Sequence, residues 1–275
     1  MRMKLRIARS FACGAAILAL GSPAFAATLR VELTRLDCGT VLIRDFNAFM
    51  SDTLEYKSGP RTITDSCYLI RHGEEYLLWD TGFPAAMVGK PNDMGALVAS
   101  IKISIADQLK QLGLKRSDIA VVGISHMHAD HVGQAAEFPD ARLVIGKGDF
   151  AGTAGDKDPF TAWRKANAKV SEATGDVDIF GDGRVVALRL PGHTPDHLAL
   201  LVRLASGPVL LSGDLYHATE ARTLRGVPPF NVNRADTLAS IDRFERLTMV
   251  LKAKVIIQHE PADIAKLPAY PNAAE

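Results

Sequence analysis

Short apolar or alternating runs occur early in the chain, as they do in strands that are buried on one or both faces. Such runs cover Leu29 to Leu36, Ser66 to Ile70 and Glu75 to Trp79, and a His72-Gly73 turn separates the last two. We therefore predict that the second and third runs pair as a β-hairpin.

Two later segments show the spacing of amphipathic helices. Between Ile101 and Leu112 apolar residues recur at helical intervals, and Gly113 follows in the position of a C-cap. A second helix is predicted to begin near Asn233, because Asn233 and Asp236 resemble a capping box and the apolar residues that follow keep to one face. Strand patterns mixed with helix patterns, without an internal repeat, indicate an α/β fold.

The chain has 275 residues, of which 47% are hydrophobic, which is enough for one large α/β domain. Its first 26 residues are typical of a secretory signal, because basic residues precede a short apolar run from Phe11 to Leu20 and Ala24-Phe25-Ala26 is a small-x-small cleavage site. A membrane anchor would need roughly 20 apolar residues. We expect residues 1–26 to be removed, residues 27–275 to form one domain, and the protein to be periplasmic or secreted.

Removal of the signal takes away basic residues only, so the remaining chain is acidic although the full sequence has a net charge of +1. Neither a basic run nor a long apolar stretch follows, so we expect no nucleic-acid partner and no membrane interaction after cleavage. Cys38 and Cys67 match no metal-binding spacing, and they either pair in the oxidising compartment or stay as buried thiols.

A recurrent feature of the chain is a strand-like segment followed within three residues by a histidine or an aspartate. These segments are Ile119 to Ile124, Val185 to Leu190, Val209 to Leu211 and Lys254 to Ile257. Because strand ends converge in α/β sheets, we predict that the residues after these segments lie together in space although they are far apart in sequence.

The strongest chemical signal is the stretch from Ser125 to His131, which follows the first of these segments. It contains four side chains of the metal-ligand type: His126, His128, Asp130 and His131. Imidazoles combined with a carboxylate suit Zn²⁺ and similar metals. Only eight histidines occur in the chain, so their concentration here is poorly explained by a polar loop with coincidental histidines.

Three later residues complete the set. His193, Asp214 and His259 follow the remaining three strand-like segments in chain order. A single histidine at a strand end is a weak signal, since most such residues are satisfied surface or core histidines. Together with the first motif, the three residues support one another as metal ligands.

The order His-x-His-x-Asp-His, Gly-His-Thr-Pro, Gly-Asp and a final His resembles the metallo-β-lactamase superfamily. The resemblance runs through most of the chain after the signal and implies an αββα sandwich of two mixed sheets flanked by helices. It implies one metal on His126, His128 and His193, a second on Asp130, His131 and His259, and Asp214 as the bridge between them. It also implies that Asp80 and His197 support these ligands without binding metal themselves.

Within the superfamily, Asp214 at the bridging position argues against a β-lactamase. The chain looks most similar to N-acyl homoserine lactonases, in Ser66 to Ile70, Asp214 to Tyr216 and Val255 to Glu260. The resemblance implies two divalent transition-metal ions, with zinc expected, and a hydrolase in which a bridging hydroxide opens a lactone ring. Asp130 is the expected catalytic proton shuttle to the leaving oxygen.

Other functions are open to the same ligand set. Hydrolysis of a phosphotriester or an ordinary ester is the main alternative, and a β-lactamase, a glyoxalase II or a non-catalytic metal-binding protein is less favoured. The substrate is expected to be a small molecule with an apolar acyl part. Residues such as Phe150, Phe160, Trp163 and Phe230 either line a pocket for that part or belong to the core, and taken singly each favours the core. The oligomeric state is open, with a homodimer as one alternative.

The chain departs from the lactonases near the bridging aspartate. That family commonly has a tyrosine three residues after the bridge, whereas this chain has His217 there and Tyr216 one residue earlier. Because neighbouring side chains of an extended segment point to opposite faces, we predict that His217 faces the substrate and Tyr216 packs beside it. A loop conformation would instead bring Tyr216 inward as the catalytic group.

Overall fold

The computed structural model describes residues 29–275, so the predicted signal peptide over residues 1–26 lies outside the described residues. Within residues 29–275, an eight-stranded and a five-stranded β-sheet face each other. Apolar side chains of the two sheets form a shared core, and helices cover both outer faces. The αββα architecture predicted from the sequence is therefore confirmed.

The strands are β1 (Val31–Ile43), β2 (Arg61–His72), β3 (Glu75–Trp79), β4 (Asn92–Asp93), β5 (Leu97–Ser100), β6 (Ile119–Gly123), β7 (Arg142–Gly146), β8 (Val170–Ala173), β9 (Val177–Asp178), β10 (Val185–Arg189), β11 (Leu198–Leu204), β12 (Gly207–Leu211) and β13 (Lys254–Ile256). The helices are α1 (Phe46–Met50), α2 (Ile105–Gln111), α3 (Ala129–Val132), α4 (Lys147–Gly152), α5 (Thr219–Leu224), α6 (Arg234–Leu251) and α7 (Pro261–Ile264).

The larger sheet has the order β4-β5-β1-β2-β3-β6-β7-β8, and the smaller has the order β13-β12-β11-β10-β9. The predicted hairpin is present, because β2 and β3 pair antiparallel around the turn that follows His72. From β3 to β8 the neighbours in the larger sheet are parallel, as are β12 and β13 in the smaller one. The carboxyl ends of these parallel strands therefore point the same way within each sheet.

Both predicted helices exist, but one begins later than expected. The Ser104 side chain accepts a hydrogen bond from the Asp107 N–H, so α2 begins at Ile105, whereas Ile101 forms a β-bridge with Val88. The predicted start at Ile101 is therefore wrong, because local pairing and a cap outweigh the helical spacing of the apolar residues. The later helix is α6, and the Asn233 side chain caps it by accepting from the Asp236 N–H.

A disulfide joins Cys38 in β1 to Cys67 in β2, which resolves the alternative left open for the two cysteines. It supports the turn after β3, since a Cβ on Gly82 would lie only 2.7 Å from the Cys38 Cβ and the Gly82 φ is +57°. Only a glycine fits this position without strain. In residues 29–275 no helix combines the length and the apolar character needed to cross a membrane.

Candidate metal centre

The residues predicted as ligands lie just beyond the carboxyl ends of four strands. The motif of His126 to His131 follows β6, His193 follows β10, Asp214 follows β12 and His259 follows β13. The ends of β6 in one sheet and of β10, β12 and β13 in the other meet at one edge of the sandwich. The fold thus brings together the side chains that the sequence singled out.

These side chains form two groups of possible ligands. Within each group the nitrogen and carboxylate oxygen atoms that could bind an ion lie within 4.8 Å of one another. We call them the first ligand group (His126, His128, His193 and Asp214) and the second ligand group (Asp130, His131 and His259).

Asp214 lies between the two groups and presents one oxygen to each. Its Oδ2 lies 3.5 Å from the Nε2 atoms of both His126 and His193. Its Oδ1 lies 3.4 Å from the His131 Nε2 and 3.0 Å from the His259 Nε2. This is the arrangement expected of a carboxylate that bridges two ions.

Buried ligand atoms that lack hydrogen-bond partners indicate that these residues can hold divalent ions. The His131 Nε2 and the Asp214 Oδ1 are buried and have no hydrogen-bond partner among the described residues. Buried polar atoms are rarely left in this state unless an ion or a water satisfies them. Two ligand atoms on one tetrahedral zinc ion lie roughly 3.3 Å apart, given bonds of about 2.0–2.1 Å. The spacing around Asp214 matches that value.

The pKa values of the site follow from burial and from close opposite charges. Burial lowers the pKa of His126 and of His193, which keeps both rings in the neutral form that binds metal. Burial disfavours the charged Asp214, but the nearby His259 and His131 outweigh it and hold the pKa of Asp214 well below its usual range. Asp214 is therefore an anion between the two groups.

Asp80 supports the second ligand group, in the place where the sequence predicted a supporting residue. It follows β3, and its Oδ2 lies 3.0 Å from the His131 Nδ1. The same carboxylate accepts hydrogen bonds from the Ser125 N–H at 2.7 Å and from the Gln258 side chain at 2.9 Å. A carboxylate at Nδ1 fixes the ring so that Nε2 faces the metal position.

His259 and Asp214 are held through contacts that involve backbone groups. The His259 Nδ1 lies 2.7 Å from the Thr64 carbonyl oxygen. His197 accepts a hydrogen bond from the Asp214 N–H at its Nε2 and lies 3.2 Å from the Leu190 carbonyl oxygen at its Nδ1. Burial lowers the pKa of His197 to about 4, so the ring is a neutral acceptor that holds the Asp214 backbone.

His217 and Tyr216 take different places. The His217 Nε2 lies 3.1 Å from the Asp214 Oδ2, and the residue lines the cavity at the centre. Tyr216 is fully buried, its hydroxyl donates to Glu245 at 2.9 Å, and its ring packs against Phe244. The structure therefore places Tyr216, named as a catalytic candidate, away from the centre, because its extended backbone sends successive side chains to opposite faces.

A cavity of about 280 Å³ opens onto the metal centre. Its polar lining is confined to the end at the metal centre, and the rest is apolar. The polar residues are His128, Asp130, Asp214, His217 and His259, and the others are Val41, Ile43, Phe49, Met50, Ile63, Phe83, Met94, Leu97, Ala129 and Phe230.

Most of the apolar lining was not identified from the sequence. It comes largely from β1, α1, β2 and β5, and only Phe230 was among the candidates. The rings of Phe49 and Phe230 meet at the cavity with centroids 5.3 Å apart. Phe150, Phe160 and Trp163 instead lie in the core cluster that packs around α2. This confirms the prediction that each of them, taken singly, belongs to the core.

Comparisons with known proteins identify a family and a fold. The family model of the Metallo-beta-lactamase superfamily matches residues 64–259. An N-acyl homoserine lactonase AttM of Azorhizobium caulinodans is 31% identical over 180 residues, which are 59% of this chain and 67% of the relative. The AttM lactonase of Rhizobium johnstonii is 26% identical over 253 residues, which are 84% of this chain and 94% of the relative.

Solved structures share the fold. A mutant of the AiiA protein of B. thuringiensis with N-decanoyl-L-homoserine bound at its active site is 20% identical, with a TM-score of 0.76 over 90% of this chain and 100% of that chain. AidC, described as a dizinc quorum-quenching lactonase, is 17% identical, with a TM-score of 0.66 over 90% of this chain and 91% of that chain.

Proposed function

The chain belongs to the metallo-beta-lactamase superfamily, and we propose that this metal-dependent hydrolase opens the lactone ring of N-acyl homoserine lactones. One observation carries the proposal: an apolar cavity ends at a centre of ligand-type side chains. A substrate with a hydrolysable carbonyl at one end and an apolar acyl chain at the other complements such a cavity. The names of the curated relatives support this substrate class.

The acyl chain is proposed to lie along the apolar lining of the cavity, which includes Val41, Ile63 and Phe230. Each methylene that leaves water for such a surface stabilises the complex by about 0.8 kcal/mol. The lactone ring then lies at the polar end, beside Asp130 and His217.

Two divalent transition-metal ions, with zinc expected, are proposed for the two ligand groups, and Asp214 would bridge them. When bound, such ions lower the pKa of water toward neutrality and polarise the carbonyl of the substrate. The histidines contribute nitrogen donors, and Asp214 and Asp130 contribute carboxylate oxygens.

Asp130 is the proposed proton carrier. Its side chain is 25% exposed, whereas the Asp214 side chain is 4% exposed, so Asp130 can reach both the substrate and water. Hydrolysis adds water to the carbonyl carbon and breaks the ring C–O bond, and the carboxylate of Asp130 carries the released proton to the departing oxygen. His217 is the proposed polar contact for the substrate, as the one polar residue of the cavity lining that belongs to neither ligand group.

The test is a kinetic screen of metal-loaded protein against N-acyl homoserine lactones, a simple lactone, an aryl ester, a phosphotriester and a β-lactam. We expect the highest kcat/KM for the acyl homoserine lactones, with loss on chelation and recovery on addition of zinc. A higher kcat/KM for the phosphotriester or the aryl ester would overturn the proposed substrate and leave hydrolysis by the same centre.

We also propose that residues 1–26 direct export. The Cys38–Cys67 disulfide supports this, because such bonds persist in oxidising compartments. Mass spectrometry of the protein from a periplasmic fraction should find Ala27 at the N-terminus. A retained Met1 in a membrane fraction would contradict export with cleavage.

A further inference from the structure

A buried carboxylate outside both ligand groups contacts the two loops that carry the first-group histidines. Asp149 lies in α4, directly after β7, and is fully buried. Its Oδ1 accepts a hydrogen bond from the Met127 N–H at 3.0 Å, and its Oδ2 accepts one from the Asp196 N–H at 2.8 Å. Met127 is the residue between His126 and His128, and Asp196 lies three residues after His193.

The contact between α4 and the second of these loops is reciprocal. The Asp196 Oδ2 accepts a hydrogen bond from the Gly148 N–H at 2.6 Å, and its Oδ1 accepts one from the Arg189 Nε at 2.6 Å. Each aspartate thus holds the backbone of the segment that carries the other. We call the segment Gly146–Asp149, together with Asp196, the brace.

Glycines at the start and end of α4 let this helix lie close to both ligand loops. A Cβ on Gly146 would lie 2.1 Å from the Asp196 carbonyl oxygen, and one on Gly148 would lie 2.8 Å from the Pro195 Cβ. One turn later, a Cβ on Gly152 would lie 2.7 Å from the Met127 Sδ. A side chain at Gly146 would force α4 away from the loop after His193, because it would meet backbone atoms of Asp196.

A buried carboxylate is costly unless hydrogen bonds satisfy it. At Asp149 the partners that satisfy it are backbone N–H groups of the two ligand loops, rather than a lysine or arginine side chain. Backbone anchors fix where a loop lies, and through the loop they fix where its side chains point.

We propose that Asp149 is a positioning residue for the first metal site, which it holds by fixing the backbone of both loops that supply His126, His128 and His193. The inference rests on the proposed metal centre and goes beyond it, because it assigns a residue that binds neither metal nor substrate. Substitutions of residues that orient ligands typically weaken metal binding about 10- to 100-fold. We expect the larger loss at the first site, whose three histidines all lie on the two anchored loops, and a smaller loss at the second site, because Asp130 and His131 share the loop of Met127.

The test uses Asp149→Asn, which keeps the shape but turns an amide NH2 toward one of the two N–H donors. Apoprotein is titrated with Co²⁺ against a competing chelator, with the visible absorption of bound Co²⁺ and the number of ions per chain as readouts. We expect the wild type to bind two ions and the variant to bind one over a roughly 10- to 100-fold range of free metal in which the wild type holds both. Asp149→Glu, which keeps both acceptors, should recover part of the affinity.

Two control variants test whether the effect is specific to Asp149 and to the first site. Asp158 accepts hydrogen bonds from the Phe160 N–H and from Arg164, without contacting a ligand loop, so Asp158→Asn should bind both ions as the wild type does. Asp80→Asn should weaken the second site more than the first, because Asp80 contacts His131 directly and His126 only through Ser125.

Wild-type affinities for both ions in Asp149→Asn would overturn the inference, as would an equal loss at both sites. If that variant does not fold, Asp196→Asn tests the inference with the same readout. It removes the reciprocal hydrogen bond between the Gly148 N–H and Asp196, whose side chain is only partly buried. A wild type that binds fewer than two ions would overturn the proposed metal centre itself, and the two failures are therefore distinguishable.

Discussion

The two ligand groups of the metal centre are held in different ways. In the second group each histidine ring has its own anchor, because the His131 Nδ1 meets Asp80 and the His259 Nδ1 meets the Thr64 carbonyl oxygen. In the first group the His193 Nδ1 has no hydrogen-bond partner among the described residues. The His126 Nδ1 lies 3.0 Å from the Ser125 Oγ of its own loop, and Asp149 holds the backbone of both loops.

This difference predicts different responses to substitution. Removing a ring anchor frees one imidazole, whereas removing a backbone anchor shifts a loop and every ligand on it. Asp214 belongs to the first group and also faces the second, so a change there should affect both at once.

Asp214→Ala should have the largest effect, because it removes the carboxylate that faces both groups. We expect turnover to fall by more than about 10²–10³-fold, the cost of losing one electrostatic group at an acyl-transfer site. Expressed as a free energy, the effect on unfolding of the apoprotein should be far smaller than the effect on turnover. Steady-state kinetics, ion counting and thermal melts of the same preparations measure the three effects, and wild-type turnover in a variant holding two ions would contradict the bridging role.

His217→Ala should have the second-largest effect. His217 lines the cavity beside Asp214, so its loss should lower kcat roughly 10- to 1000-fold, the range of a charge-stabilising or acid–base group, while both ions stay bound. Tyr216→Phe is the matched control and should change kcat little, since that hydroxyl contacts Glu245. The reverse ranking of the two variants would assign the role to Tyr216.

Asp80→Asn tests the ring anchor of the second group. Loss of the carboxylate at the His131 Nδ1 should weaken the second site about 10- to 100-fold and the first site less, since Asp80 reaches His126 only through Ser125. Metal titration followed by ion counting measures this. The comparison between the two groups would fail if this variant and Asp149→Asn lost the same ion.

Phe230→Ala should have the smallest effect and should act mainly on substrate binding, since the ring packs beside His128 and His193 without belonging to a ligand group. Phe230 is 42% exposed and meets Phe49 across the cavity, so only part of its apolar surface serves an acyl chain. We expect kcat/KM to fall several-fold for long acyl chains, about 1 kcal/mol, and to stay nearly unchanged for short ones. An equal decrease for all chain lengths would show that the ring does not contact the acyl chain.

The sequence was most informative where chemistry and local pattern coincide. His126 and His128 follow a strand directly, and their spacing predicts a shared site before any contact is known. Asp149 has no such signal, because its partners Met127 and Asp196 are 22 and 47 residues away and are backbone groups that any residue would supply. The same holds for Phe49, which reaches the cavity only because β1 and β2 bring α1 beside it.

Local pattern was also insufficient at element boundaries. The apolar spacing from Ile101 to Leu112 is helical throughout, yet Ile101 belongs to a bridge and Ser104 caps the helix. The spacing reports which face is buried, whereas the boundary depends on hydrogen bonds that the pattern does not contain.

The Cys38–Cys67 bond means that the way the protein is produced determines which molecule is obtained. It closes a loop with a sequence separation of 29 residues, which in the chain-entropy account is worth about 3–4 kcal/mol. Material purified from a reducing cytosol and material recovered from an oxidising compartment would be two chemical species with one sequence. Their shelf life and heat resistance should differ, so thiol titration belongs beside any assay that compares batches.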